Sequence, residues 1–77
     1  MFEDLKTIIR ESIEIKVPAL KPETRLYQDL GADFLDMIEI EMAIEDHFKI
    51  EIIKDRVIYK TKTLADLQKE IEKRIKK

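Results

Sequence analysis

The stretch that most limits how this chain can fold runs from Asp29 to Phe48, Asp-Leu-Gly-Ala-Asp-Phe-Leu-Asp-Met-Ile-Glu-Ile-Glu-Met-Ala-Ile-Glu-Asp-His-Phe. From Asp29 to Asp46 it holds seven carboxylates, Asp29, Asp33, Asp36, Glu39, Glu41, Glu45 and Asp46, and neither Lys nor Arg. Charge alone would keep such a run solvated. Phe34, Leu35, Met37, Ile38, Ile40, Met42, Ile44 and Phe48 nevertheless recur through it at helical spacings. It is therefore an acidic helix with apolar surface to bury, and 77 residues leave room for little besides a small bundle around it.

One Gly and two Pro argue against an all-β chain with many tight turns, and the Ile-rich segments at three- and four-residue steps predict an all-α fold in a single domain over 1–77. The absence of cysteine excludes disulfides, thiolate metal sites and a cysteine nucleophile. Net charge is −2, but it is divided unevenly: residues 1–28 sum to zero, 29–46 to −7 and 47–77 to +5. The acidic middle favours a basic partner and repels a phosphate backbone, so no nucleic-acid partner is expected. Membrane insertion is not expected either, since no segment reads as a spanning helix or a signal peptide.

Phe2, Leu5, Ile8, Ile9 and Ile13 predict a first helix over 2–15, with Glu3 and Asp4 at the positive end of its dipole and Val17-Pro18 as its stop. From Lys16 to Ala32 the chain reads as a long loop tacked onto the core by Leu20, Leu26, Tyr27 and Leu30. Gly31 marks a backbone turn, Asp33 an N-cap, and Asp36 three residues later an approximate capping box, so a second helix starts at Phe34 and ends near His47 or Phe48. Lys49–Ile53 reads as loop, and Asp55–Tyr59 as one or two helical turns among Lys54, Arg56, Lys60 and Lys62. Thr63, with Asp66 at its third position, caps a last helix carrying Leu64, Leu67, Ile71 and Ile75. Lys69, Lys73, Arg74, Lys76 and Lys77 suit that helix's negative end.

On the second helix, Met37, Ile40, Ile44 and Phe48 share one arc, expected to be core. Phe34, Leu35, Ile38 and Met42 form a second arc, set off from the first by Glu41 and Glu45. That second arc is either more core or a partner-binding strip hemmed by carboxylates, and the one-sided charge favours the strip. A lone His47 with no cysteine gives no start for a metal centre or a triad, and Asp33 and Asp36 are explained by capping, so neither catalytic residues nor a metal site are expected.

Asp29-Leu30-Gly31-Ala32-Asp33-Phe34-Leu35-Asp36, followed by Glu39, Met42-Ala43-Ile44-Glu45 and Phe48, resembles the acyl carrier protein family, whose motif is Asp-Leu-Gly-Ala-Asp-Ser-Leu-Asp before an acidic second helix. The resemblance covers essentially the whole chain and implies a four-helix bundle with a short third helix. It also implies a 4′-phosphopantetheine arm esterified to a serine at the start of helix two, where this chain has Phe34. A phenyl ring has no oxygen for that phosphodiester, and Ser12, the only serine, matches no family motif. The sequence thus leads to the expectation that no cofactor is carried. Lys54, Arg56, Lys60 and Lys62 depart from the family's commonly acidic third-helix region.

The expected function is accordingly a non-enzymatic, acyl-carrier-like interaction subunit, a monomer when alone. It would dock basic helical partners through Asp33, Phe34, Leu35, Asp36, Ile38, Glu39, Met42, Glu45 and Asp46. Family resemblance extends those partners to LYR-type proteins of mitochondrial iron–sulfur cluster assembly. The alternative is an acyl carrier protein of fatty acid or related lipid synthesis, working with its enzymes, whose attachment serine is replaced by Phe34 through engineering or divergence. The compartment is expected to be the cytoplasm, or a mitochondrion or plastid after removal of a targeting segment.

Overall fold

In the computed structural model, which describes residues 1–15 and 17–75, four helices follow one another: α1 (Phe2–Ser12), α2 (Phe34–Phe48), α3 (Val57–Lys60) and α4 (Leu64–Ile75). No strand occurs among the described residues; the one β-type contact is an isolated antiparallel bridge between Arg25 and Thr63. The predicted all-α bundle with a short third helix is what the chain forms. Expectations for Lys16, Lys76 and Lys77 lie outside the described residues.

Helix α1 begins as its acidic first turn predicts, but it stops at Ser12, three residues short of the predicted end. Ile13 already has extended backbone (φ −141°, ψ 163°), and the Ser12 hydroxyl donates to the Ile8 carbonyl at 2.8 Å. The β-branched Ile13, Ile15 and Val17 favour that extended exit, so the helix ends ahead of Pro18. Leu5, Ile8 and Ile9 are buried, and α1 packs on α2.

The long connection between α1 and α2 is internally packed. Leu20, Leu26 and Leu30 are buried in the common core, as predicted, whereas Tyr27 is exposed. The Leu26 N–H donates to the Lys62 carbonyl (2.9 Å), Leu64 N–H to the Thr24 carbonyl (3.0 Å) and Ala65 N–H to the Pro22 carbonyl (2.8 Å). These bonds tie the loop to the start of α4 and satisfy backbone groups that burial would otherwise strand.

The α4 cap is reciprocal. Thr63 Oγ1 accepts from the Asp66 N–H at 3.2 Å, and Asp66 Oδ2 accepts from the N–H groups of Thr63 (3.2 Å) and Lys62 (3.1 Å). Leu64, Leu67 and Ile71 face the core; Ile75, predicted to continue that repeat, is left partly exposed at the end of the helix. Thr63→Ala is expected to lower stability by about 1 kcal/mol, read as a shifted urea midpoint at unchanged slope. The backbone N–H groups of Lys62 and Thr63 hold the Asp66 carboxyl below its ordinary value. Its contribution is therefore full above the ordinary aspartate range and is lost as pH falls through the lowered one.

Candidate functional site

The site is built at the head of α2. Gly31 has φ +67°, and nothing lies within 4 Å of the place a Cβ would take. The glycine is therefore required by its left-handed backbone and not by crowding. The turn delivers Asp33 as N-cap: its Oδ1 accepts from the Asp36 N–H (2.9 Å), while Asp36 Oδ2 accepts from the Asp33 N–H (3.1 Å). The predicted capping box is closed on both sides, with an aspartate in the place of the usual Glu or Gln.

Phe34, the first helical residue, is 58% exposed. Its ring lies 6.3 Å from that of Tyr59 on α3, tilted by 32°. Around α2, at about 100° per residue, Phe34, Glu45 and Ile38 share one side and Glu41 adjoins them. That side faces α3 and the segment leading to it. Glu45 Oε2 accepts from the Ile52 N–H (2.7 Å) and the Ile53 N–H (2.9 Å), and Ile38 is half-buried. Glu41 is only 3% exposed. Burial pushes its carboxyl above the ordinary glutamate value, the neighbouring Glu45 adds to this, and the backbone N–H of Ile58 opposes it.

The two glutamates thus depart from their expected role as a polar divide between arcs. Glu41 is inside the seam between α2 and α3. Glu45, expected to meet a partner, anchors the backbone that leads into α3. The remaining outward ridge is Met42, Leu35, Asp46 and Glu39, with Leu35 69% and Met42 56% exposed. Glu39 forms no ion pair among the described residues, and Asp46 meets only Lys49, at 3.9 Å between two well-exposed side chains. Of the nine predicted site residues, Leu35, Glu39, Met42 and Asp46 make one open surface. Phe34 is at its edge, half-buried Ile38 leans towards α3, Asp33 and Asp36 are held in the cap, and Glu45 is bonded inward.

The core arc is as predicted for Met37, Ile40 and Ile44, with Phe48 partly covered. His47 is exposed, edge-on to the Phe48 ring at 4.7 Å. Helix α3 buries Val57 and Ile58 and exposes Tyr59 and Lys60; Arg56, just ahead of it, is exposed too. Nearby Lys54 pairs with Glu51 and Asp55 with Arg74, each at 3.1 Å. No described helix is long and apolar enough to cross a membrane.

Residues 3–71 match a protein-family model described as "Phosphopantetheine attachment site". The chain is 41% identical over 71 residues to the acyl carrier protein of Helicobacter hepaticus, covering 92% of each sequence. It is 38% identical over 72 residues to that of Wolinella succinogenes, covering 94% of this chain and 93% of the relative. To that of Helicobacter pylori it is 39% identical over 72 residues, covering 94% and 91%.

These matches correct the expectation that no cofactor belongs to this protein: the family model and the relatives point to a 4′-phosphopantetheine prosthetic group. One side chain, Phe34, stands against a likeness that runs through nearly the whole chain. Locally, the seat suits such an arm, with residue 34 open to solvent on the first turn of a capped helix. The side chain on that seat does not fit, because phenylalanine presents only carbon and hydrogen. The Ser12 hydroxyl is no substitute, being on α1 and bonded to the Ile8 carbonyl.

Proposed function

Because the chain belongs to the acyl carrier protein family, we propose that it is a carrier-type module of bacterial fatty acid or related lipid synthesis, with position 34 as its attachment position and α2 as its docking helix. A family likeness spanning nine-tenths of the chain, together with an intact, capped and exposed seat at residue 34, supports this reading above a separate interaction subunit. Phe34 then stands where the attachment serine belongs, through engineering or divergence. The module is a carrier and not an enzyme, made of one domain over 1–77. The named relatives are bacterial, which favours a bacterial cytoplasm over a mitochondrion or plastid. Nothing in the relatives' names speaks for LYR-type or iron–sulfur partners.

Docking follows from charge and shape. The −7 of residues 29–46 draws a basic partner surface to α2 and raises the encounter rate, most strongly at low salt. Leu35 and Met42 then supply apolar area at the centre of the contact, each contributing about 1.5–3 kcal/mol when fully covered. Glu39 and Asp46 set the register, while Asp33, Asp36 and Glu45 mainly hold the helix and its neighbour in place for them. Phe34 and Ile38 extend the contact towards α3.

Two variants test this. Phe34→Ser, incubated with a phosphopantetheinyl transferase and coenzyme A, is expected to gain the mass of one phosphopantetheine at residue 34; no gain with a transferase active on a bacterial acyl carrier protein would overturn the carrier reading. Adding Glu39→Lys to Phe34→Ser is expected to reduce kcat/KM for that modification by about tenfold, the effect of removing one attractive contact and creating a repulsive one. An unchanged kcat/KM would remove α2 as the docking helix. Glu39 serves better here than Asp36, whose substitution would also open the helix cap.

A further inference from the structure

We propose that the seam between α2 and α3 is a proton-operated latch, in which Glu41 holds α3 against α2 when its carboxyl is protonated and loosens it when ionised. Glu41 is 3% exposed, and its Oε2 has no hydrogen-bond donor among the described residues. No described cation pairs with it. The groups that bear on it are Glu45 from its own helix, Tyr27 from the loop before α2 and the Ile58 N–H from α3, with Tyr59 next to Tyr27. None carries a positive charge. An ionised Glu41 is therefore a charge in a dry seam with a second carboxylate beside it, and relief requires water at Oε2.

The wall that yields most easily to that water is α3. It has four residues, too few to be stable as an isolated helix, and enters through Arg56 in the left-handed region (φ 56°). Its hold is the burial of Val57 and Ile58, and the backbone of Ile58 is the part of α3 that bears on Glu41. Protonation removes the charge and restores an apolar fit. The sign follows from the upward displacement of the Glu41 carboxyl. A group raised in the folded state stabilises it most at low pH, and that contribution is lost as pH rises through the raised value, above the ordinary 4.5. The direction is opposite to that of Asp29, Asp66 and Glu70, whose carboxyls are all held low. Because Tyr59 covers one side of Phe34, a loosened α3 also uncovers the head of α2.

The latch does not depend on what residue 34 carries, so its test uses the unmodified chain. Amide-exchange protection factors for Val57–Lys60, corrected for intrinsic exchange, are expected to fall roughly tenfold between about pH 5 and about pH 8. The Glu41 side-chain carboxyl carbon should titrate above the ordinary glutamate value, in step with that loss of protection. Glu41→Gln and Glu41→Leu should each give high protection that no longer changes with pH. Protection in the parent that is equal at both ends, or a pH dependence that survives in both variants, would overturn the latch. Should neither variant fold, the parent decides alone: a Glu41 carboxyl that titrates at the ordinary value, with α3 amides unmoved, overturns it too.

Discussion

Ile40→Ala is expected to cost about 2–5 kcal/mol, because Ile40 is fully buried on the core face of α2 and the bundle cannot collapse into the space its side chain leaves. A chain of this size has a total stability of roughly 4–12 kcal/mol, so that one truncation removes a large part of it. The measurement is a urea or thermal unfolding midpoint compared with that of Leu35→Ala. Leu35 is as apolar as Ile40 but faces solvent, and its truncation is expected to change stability by less than about 0.5 kcal/mol. Equal losses at the two positions would mean that α2 is rotated from the orientation described, and with it the docking ridge.

Glu45→Ala is expected to cost about 2–4 kcal/mol, far more than a surface carboxylate normally contributes. Its Oε2 accepts from two consecutive backbone N–H groups, Ile52 and Ile53, and a hydrogen bond to a charged group contributes about 1.5–3 kcal/mol. Ile52 is itself fully buried, so its N–H cannot readily exchange the carboxylate for water. Relief of the repulsion on Glu41 offsets part of the loss. Glu45→Gln keeps an acceptor oxygen and should cost about half as much, since the bonds lose their charge but are not both broken. Unfolding midpoints of the two variants check this, and an Ala variant no less stable than the parent would return Glu45 to the outer surface. Loss of partner binding in a Glu45 variant is therefore to be read together with its stability.

Much of the fold was legible because its signals are local. Asp33 with Asp36, and Thr63 with Asp66, announce two helix starts within three residues each, and both boxes are closed as expected. The core arc of Met37, Ile40 and Ile44 follows from helical period alone. Helix α1 ends earlier than the Pro18 stop predicts, because the extended preference of Ile13 acts before it. The four-residue α3 has no periodicity from which its buried and exposed faces could be read.

The candidate site divides in the same way. Residue 34 at the head of α2, and the acidic apolar ridge below it, are written in the sequence from Asp29 to Phe48. What reaches that helix from elsewhere is not. Glu41 and Glu45 have the same chemistry as Glu39, and the chain gives no local sign that they differ. Two turns through left-handed Lys49 and Arg56 bring Ile52, Ile53 and Ile58 back onto one side of α2. The sequence by itself therefore determined the helices, their caps and the acidic face, since each depends on neighbours within a few residues. Only the tertiary structure decided which carboxylates stay in water, which one anchors a loop and which one is buried with one oxygen left unpartnered, because that depends on where α3 comes to rest.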